Sequence, residues 1–278
     1  MHVVETIEDL RAWRNSIAGT LGLVPTMGYL HAGHLALVRR AREGNDCVAV
    51  TIFVNPRQFG PSEDLASYPR DTARDLLLLD EAGVDLVFVP SVAEMFPPDF
   101  ATTVDVGSLA ERLEGASRPG HFRGVATVVA RLLNLFRPTR AYFGQKDAQQ
   151  VAVVRRMAED LALPVEIVAV PTVRDIDGLA LSSRNVYLSA EERAAARALA
   201  RGLRRALSLF EAGERDADSL RQIVRDELGV ERLIRIDYVS VADGVSLDEL
   251  VQVDRPATLS IAAWVGRTRL IDNVALDI

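Results

Sequence analysis

Residues 24–41 read VPTMGYLHAGHLALVRRA, and this stretch decides the fold. An apolar run ends at Pro25, a glycine turn follows, and a helical pattern begins within the segment His31-Ala-Gly-His34. The same change from a short apolar run to an amphipathic helix recurs through residues 1–170. Runs rich in Val, Ile and Leu that alternate with helices favour parallel strands with both sheet faces covered. The pattern therefore predicts a doubly wound parallel α/β domain.

The elements predicted for this domain are strands at residues 20–26, 47–54, 84–90, 140–144 and 165–171, and helices at 32–43, 70–82, 122–136 and 148–161. Beyond residue 171 the pattern changes. A polar segment precedes two predicted helices and three β-like runs, at residues 189–212, 217–228, 233–243, 257–265 and 269–278. Helices followed by consecutive strands predict a smaller α+β domain. We place the boundary near Thr172, so that the domains span residues 1–172 and 173–278.

Composition narrows the classes of partner. A chain of 278 residues, 49% of them hydrophobic, can bury cores for two domains. A net charge of −7 argues against nucleic acid or an anionic membrane surface as the main partner, since both require basic patches. No apolar run approaches the ~18 residues of a membrane span, and the N-terminus does not read as a signal peptide. With Cys47 as the single cysteine, we expect a cytoplasmic protein that binds small molecules.

The helix start after the glycine turn is a predicted phosphate site. Free N–H groups and a partial positive charge favour phosphate at a helix N-terminus, and Gly33 permits close approach to the backbone. His31 and His34 can donate hydrogen bonds to phosphoryl oxygens there. Two alternatives remain at this point: a pair of solvated histidines, or a metal site, whose third ligand would have to be sought elsewhere in the chain.

Lys146 is the only lysine of the chain, against 31 arginines. Where arginine is used so heavily, a retained lysine indicates chemistry that a guanidinium cannot supply. An ammonium is a compact charge with three rotatable donors, whereas a guanidinium is a larger planar fork. The alternative is that the lysine is present by chance, and the neighbouring residues decide between these two explanations.

Five segments carry a resemblance to a known family: PTMGYLHAGH, FVNPRQFGPSEDLASYPR, EGASRPGHFRGVATVV, YFGQKDAQQ and DGLALSSRNVYL. Together, and in this order, they resemble the pantoate–β-alanine ligases of the HxGH nucleotidyltransferase superfamily, closely so over residues 20–190. The resemblance implies a Rossmann-like N-terminal domain, a C-terminal lid domain and a homodimer. It also implies that ATP and (R)-pantoate, with Mg²⁺, give pantoyl adenylate and pyrophosphate, after which β-alanine displaces AMP.

The resemblance further implies roles for individual residues. The implied catalytic groups are His31, His34, Lys146 and Arg184. The implied ATP contacts are Pro25, Thr26, Met27, Gly28, His31, Gly33, His34, Gly144, Lys146, Asp147, Val173, Leu181, Ser182, Ser183 and Arg184. The implied contacts of pantoate and β-alanine are Gln58, Gln150 and Asn55. Each type of residue also has an ordinary structural role: Asp147 suits a helix N-cap, Asn55 a turn before Pro56, and the serines a polar linker.

Some assignments stay open. His121 in RPGHF has three possible places: the pantoate pocket, a dimer face, or the cap of the following helix. Leu181 stands where many relatives have methionine, a change that preserves volume. Asp75 is the candidate metal ligand, but Arg74 stands where some relatives carry a second acidic residue. We therefore expect Mg²⁺ to arrive on ATP, bound to phosphates and water.

Two other functions compete with the ligase. One is nucleotidyl transfer to another small acceptor, and a phosphorylated acceptor would call for more basic residues near NPRQF and KDAQQ. The other is a non-catalytic nucleotide sensor, which the loss of a histidine or of Lys146 would have indicated. Both histidines and the lysine are present.

Overall fold

A computed structural model describes residues 1–61 and 63–278 of the chain. Its contacts group these residues into two compact units. The first consists of Met1–Gly144 with Val153–Pro171, and the second of Gln145–Ala152 with Thr172–Ile278. The domain boundary near Thr172 stays a prediction, and the short segment that carries Lys146 groups with the C-terminal part of the chain.

Six parallel strands form the sheet of the first unit. They are β1 (His2–Val4), β2 (Leu21–Thr26), β3 (Cys47–Ile52), β4 (Leu86–Phe88), β5 (Arg140–Gly144) and β6 (Glu166–Val170). Their order is β1-β4-β3-β2-β5-β6, and every pair is parallel. This confirms the predicted parallel α/β fold. Strand β1 was missed, because a three-residue edge strand is too short to show a periodic pattern.

Helices cover both faces of this sheet. Those before residue 171 are α1 (Ile7–Ser16), α2 (Ala32–Gly44), α3 (Thr72–Glu81), α4 (Val92–Met95), α5 (Glu114–Ser117), α6 (His121–Phe136) and α7 (Ala148–Asp160). On one face, Val24 of β2 lies in a core cluster with Val38 of α2 and Leu79 of α3. On the other, the ring of Phe88 meets Phe136 of α6 at a centroid distance of 6.0 Å. Because side chains alternate along a strand, apolar residues at successive positions produce both buried faces.

The strand order reverses beside β2. This strand pairs with β3 on one side and with β5 on the other, so the chain winds in opposite directions from it. In open α/β sheets, ligands bind outside the carboxyl ends of the strands at such a reversal. Here those ends are Thr26 and Gly144, and both are among the ATP contacts predicted from the sequence.

The second unit contains α8 (Ala190–Glu211), α9 (Ala217–Gly229) and the antiparallel sheet β7 (Ile234–Asp243), β8 (Ala257–Val265), β9 (Thr268–Leu276). Ser189 and Glu192 form a capping box that begins α8. Apolar residues of both helices and all three strands share one buried cluster, which confirms the predicted small α+β fold. In the described part of the chain, no helix is both long enough and apolar enough to span a bilayer.

Candidate active site

The two motif histidines form the start of helix α2. His31 is the N-cap residue, and its Nδ1 accepts a hydrogen bond from the Gly33 N–H at 3.1 Å. Nδ1 of His34 accepts from the His31 N–H at 3.2 Å, so the imidazoles form a reciprocal capping box. The two ring centroids lie 4.1 Å apart. The helix start predicted from the sequence is therefore made by the histidines themselves.

This capping determines the tautomer of each neutral imidazole. A ring nitrogen that accepts an N–H hydrogen bond carries no proton, so in His31 and His34 the proton lies on Nε2. An Nε2–H group is a suitable donor to a phosphoryl oxygen. The helix N-terminus adds a partial positive charge of about half a unit at the same place. The arrangement can therefore stabilise negative charge that develops on a phosphate.

The turn before α2 is held by a buried carboxylate. Gly28 has φ +81° and Tyr29 has φ +51°, both in the left-handed region. Asp75 of α3 is 0% exposed, and its two oxygens accept the Tyr29 N–H at 2.6 Å and the Leu30 N–H at 2.8 Å. The Arg74 guanidinium donates to the Leu30 carbonyl oxygen at 3.1 Å. Helix α3 thus secures the backbone that leads into the histidine pair.

A cavity of about 280 Å³ opens beside this turn. It lies at the carboxyl ends of β2, β3 and β4, and Met27, Gly28, Arg70 and Asp75 contribute to its wall. The cavity lies on the β3 and β4 side of β2, whereas the reversal at which the strand order predicts a ligand lies between β2 and β5.

Gln58 and Asn55 lie together in the first unit. Asn55 is 1% exposed, and its Nδ2 donates to Gln58 Oε1 at 2.9 Å and to the Gly124 carbonyl oxygen at 3.1 Å. Gln58 Nε2 lies 3.3 Å from the sulfur of Met27. Helix α6 packs so closely here that a Cβ on Gly124 would lie 2.1 Å from the Arg57 carbonyl oxygen. Three residues predicted to contact substrates are therefore brought into one cluster.

His121 is the first residue of α6, and its ring contacts the backbone of Gln58. Its Nδ1 is 2.8 Å from the Gln58 carbonyl oxygen, and a guanidinium nitrogen of Arg118 is 3.1 Å from its Nε2. Because arginine only donates, Nε2 accepts and Nδ1 donates to the carbonyl. Glu63 in turn pairs with Arg118 at 2.6 Å. His121 thus supports the backbone of Gln58, and α6 begins after Gly120 without a side-chain cap, so the helix-cap role is wrong. A place in the pantoate pocket or at a dimer face stays a prediction.

The stability of the protein should depend on pH through His121. Burial, and then the charge of Arg118, lower the pKa of His121 from 6.5 to about 4. Between these values the unfolded chain binds a proton that the folded protein excludes, so stability falls as the pH drops from 6.5 to 4. The free energy of unfolding that is lost over this range is on the order of 3 kcal/mol. The free energy of unfolding, measured in urea between pH 4 and pH 6.5, should depend less on pH in His121→Gln than in the wild type. The same pH dependence in both proteins would contradict the role given to His121.

In the second unit, Lys146 lies in a 3-10 helix, Gln145–Asp147, that precedes α7. Its side chain is 17% exposed, and Nζ lies 3.8 Å from Asp147 Oδ1. Nδ2 of Asn273 in β9 donates to the carbonyl oxygens of Gln145 at 3.0 Å and of Lys146 at 2.8 Å. No motif in the sequence marks Asn273, which lies 127 residues downstream of the lysine.

Gly144 and Gln150 flank this segment in the sequence. A Cβ built on Gly144 would have no neighbour within 4 Å among the described residues, which leaves room at the end of β5. Gln150 is half-buried in the first turn of α7. The substrate contacts assigned to Gly144, Asp147 and Gln150 stay predictions.

The SSRN segment is ordered within the second unit. Ser182 caps a 3-10 helix, Ser183–Tyr187, and its Oγ accepts the Arg184 N–H at 3.3 Å. Just before it, the Leu181 N–H donates to the Val173 carbonyl oxygen at 3.0 Å. One folded loop thus holds five predicted ATP contacts: Val173, Leu181, Ser182, Ser183 and Arg184. Their contacts with ATP stay predictions.

The fold and the histidine-capped helix define a nucleotide-binding α/β protein. The family model for pantoate-beta-alanine ligase matches residues 2–275. The chain is 61% identical over 277 residues to the pantothenate synthetase of Roseiflexus sp. (strain RS-1), with 100% of each covered. It is 60% identical over 278 residues to that of Chloroflexus aurantiacus, covering 100% of this chain and 99% of the relative.

Solved structures agree with the sequence comparison. The pantothenate synthetase of Thermus thermophilus is 50% identical and has a TM-score of 0.96, with 100% of both chains covered. The pantoate-beta-alanine ligase of Francisella tularensis, solved with beta-gamma ATP and beta-alanine, is 32% identical with a TM-score of 0.79, over 99% of this chain and 97% of that one. This chain belongs to the pantoate-beta-alanine ligase family.

Proposed function

We propose that the chain catalyses the ATP-dependent condensation of (R)-pantoate with β-alanine to pantothenate, with release of AMP and pyrophosphate. The observation that carries this function is the 61% identity to a pantothenate synthetase over the full length of both chains. The relative solved with beta-gamma ATP and beta-alanine supports ATP and β-alanine as substrates of this chain too.

The reaction proceeds in two steps because a carboxylate is a poor electrophile. In the first, a carboxylate oxygen of pantoate attacks the α-phosphorus of ATP, the bond to the β-phosphate oxygen breaks, and pyrophosphate leaves. In the second, the amine of β-alanine attacks the acyl carbon of pantoyl adenylate, and AMP leaves with the electron pair of the anhydride bond. The neutral amine loses a proton to solvent as the amide forms. Both steps develop negative charge on phosphate oxygens, which fixed donors stabilise.

In the first unit we assign the phosphates to the start of α2. His31 and His34 each carry the Nε2 proton, and Gly33 contributes a helix start without a side chain. Pro25, Thr26, Met27 and Gly28 are the predicted neighbours of the nucleotide at the end of β2. Donors that are held before the substrate binds require no reorganisation as charge develops.

In the second unit we assign Lys146 and Arg184 to the charged phosphate oxygens. Ser182 and Ser183 add hydroxyl donors, while Asp147 binds the ribose hydroxyls. Val173 is assigned to ATP and Leu181 to its adenine. In the first unit, Gly144 at the end of β5 lets the nucleotide approach. The ordered 3-10 helices that carry the lysine and the arginine support this assignment, because they limit the entropy lost on binding.

Pantoate is assigned to Gln58 and Gln150, with Asn55 in support. An amide can donate to one oxygen of pantoate and accept from a hydroxyl, without neutralising the attacking carboxylate. Gln58 Nε2 faces the sulfur of Met27, a weak acceptor, so exchange for a pantoate oxygen should strengthen its hydrogen bond.

Mg²⁺ is proposed to reach the site with ATP, bound to phosphate oxygens and water. Both oxygens of Asp75, the candidate ligand, already accept backbone N–H groups. In residues 1–61 and 63–278, no three or more His, Cys, Asp or Glu side chains are grouped so that they could hold a metal ion. These residues do not fit a resident metal site, so the ion belongs to the nucleotide substrate in this proposal.

The remaining proposals concern assembly and location. We propose a homodimer in the cytoplasm, without nucleic acid or membrane as a partner. The cytoplasmic location is supported by the single free Cys47, which suits a reducing compartment, and the net charge of −7 supports the absence of nucleic acid.

The function is tested by isotope exchange from pyrophosphate into ATP with pantoate present and β-alanine absent. Reversal of the first step should give exchange that depends on pantoate. Exchange that ignores pantoate would instead indicate nucleotidyl transfer to another acceptor, and absence of exchange together with nucleotide binding would indicate a sensor. Release of AMP on addition of β-alanine then checks the second step.

A further inference from the structure

We propose that Asn273 is a positioning residue that sets the direction of the Lys146 side chain. The inference rests on the phosphate role proposed above for Lys146. Asn273 Nδ2 donates to two carbonyl oxygens, those of Gln145 and Lys146, at 3.0 and 2.8 Å. Asn273 itself is 5% exposed, so water does not compete strongly for these hydrogen bonds.

The two carbonyl groups belong to the two peptide units on either side of the Lys146 α-carbon. A peptide unit is planar, and the backbone of a residue bends only at φ and ψ. Two hydrogen bonds from one nitrogen therefore restrain the planes before and after Lys146 together. With both planes restrained, the direction of the Cα–Cβ bond of the lysine is also restrained.

The amide of Asn273 has hydrogen-bond partners at its nitrogen but not at its oxygen. Its Oδ1 is buried, and no partner for it is found among the described residues. An unpaired buried acceptor lowers stability, and such a group in a native protein calls for an explanation. Support of the lysine segment supplies one, because both hydrogens of the amide are used on that segment.

Strand pairing and neighbouring hydrogen bonds hold the backbone of Asn273. In the edge strand β9 it pairs with Ser260 of β8, near the middle of the ladder between these two strands. The preceding Asp272 is 2% exposed, accepts from the Arg174 guanidinium at 2.5 and 2.9 Å, and accepts the Asn273 N–H at 2.8 Å. The strand therefore holds the amide in place, and a positioned donor restrains its acceptors only if it is itself restrained.

The test compares Asn273→Asp with Asn273→Ala. Aspartate keeps the shape of the side chain but turns acceptor oxygens toward the two carbonyls, whereas alanine removes both donors and leaves space. If Asn273 positions Lys146, aspartate should slow pantoate-dependent pyrophosphate exchange more than alanine does, by about tenfold or more in rate with the pantoate KM nearly unchanged. A side chain needed only for packing would give the reverse order.

The single lysine provides a second measurement. After reductive methylation with ¹³C-formaldehyde, Lys146 gives the only side-chain amine resonance beside the N-terminal amine. We expect Asn273→Asp to shift this resonance toward that of a freely rotating lysine. Val224→Ala, in the buried core of the same unit, is the matched control: it should lower the melting temperature and leave the resonance in place.

Two outcomes would overturn the inference: an unchanged resonance in Asn273→Asp, or an exchange rate in that variant equal to the wild type. Failure of the proposed function looks different. There the wild-type protein would show no pantoate-dependent exchange, or Lys146→Ala would keep its full rate, while the resonance still reports whether Asn273 orients the lysine.

Discussion

Replacing Lys146 by arginine should slow adenylate formation by more than tenfold while the protein remains folded. A tenfold loss corresponds to about 1.4 kcal/mol of transition-state stabilisation. The charge is retained, but the guanidinium is larger, planar and less able to follow phosphoryl oxygens as they move. The lysine side chain is only 17% exposed, which leaves little room for the larger group. The measurement is a single-turnover assay of pantoyl adenylate formation.

The matched control is Arg156→Lys, an exchange in the opposite direction on helix α7. Arg156 is 57% exposed and pairs with Asp160 one turn away, so the exchange should leave the rate unchanged. Lys146→Ala, which removes the charge, should be slower than Lys146→Arg. A Lys146→Arg enzyme as fast as the wild type would contradict the explanation given for the single lysine.

Loss of the Asp75 carboxylate should cause the largest loss of stability predicted here. Asp75→Ala removes the acceptor of the buried Leu30 N–H and of the partly buried Tyr29 N–H. Each such group costs about 1–3 kcal/mol, so we expect the free energy of unfolding to fall by roughly 2–6 kcal/mol. Tyr29, at φ +51°, would also lose the contact that holds its unusual backbone conformation. Urea unfolding followed by circular dichroism measures the change.

Asp80→Asn on the same helix is the control for Asp75. Its side chain is 67% exposed and pairs with the N-terminal amine at 3.7 Å, so we expect a change within about 0.5 kcal/mol. Asp75→Asn, which keeps one acceptor oxygen, should lie between the two. Equal stability of Asp75→Ala and Asp80→Asn would show that the turn before α2 does not depend on the carboxylate.

The periodic pattern of the sequence accounts for most of the fold. Buried parallel strands such as β3 are continuous apolar runs, and amphipathic helices such as α6 repeat their apolar residues at a spacing that only a helix brings to one face. The periodic pattern does not predict the strand order, because pairing joins segments that are far apart in the chain. Strand β1 was missed because three residues are too few to show a periodic pattern, so only its pairing with β4 identifies it.

Family motifs indicated the chemistry of the site but not its supports. Local spacing alone places His31 and His34 at one helix start, and the capping box that sets their tautomer is also local. Asp75 appeared in the sequence as a candidate metal ligand, whereas the fold turns both of its oxygens to the turn before α2. No local signal could reveal that use, because it depends on where α3 packs.

The sequence by itself determined the alternation of strands and helices, the helix start within the segment 31–34, and the family to which the chain belongs. Only the tertiary structure decided which distant groups hold these parts in place: Asp75 under the turn, His121 behind Gln58, and Asn273 beside Lys146. The physical reason is that hydrogen bonds within a turn or a helix follow from neighbours in the chain, whereas a buried donor or acceptor takes whichever partner the packing brings to it.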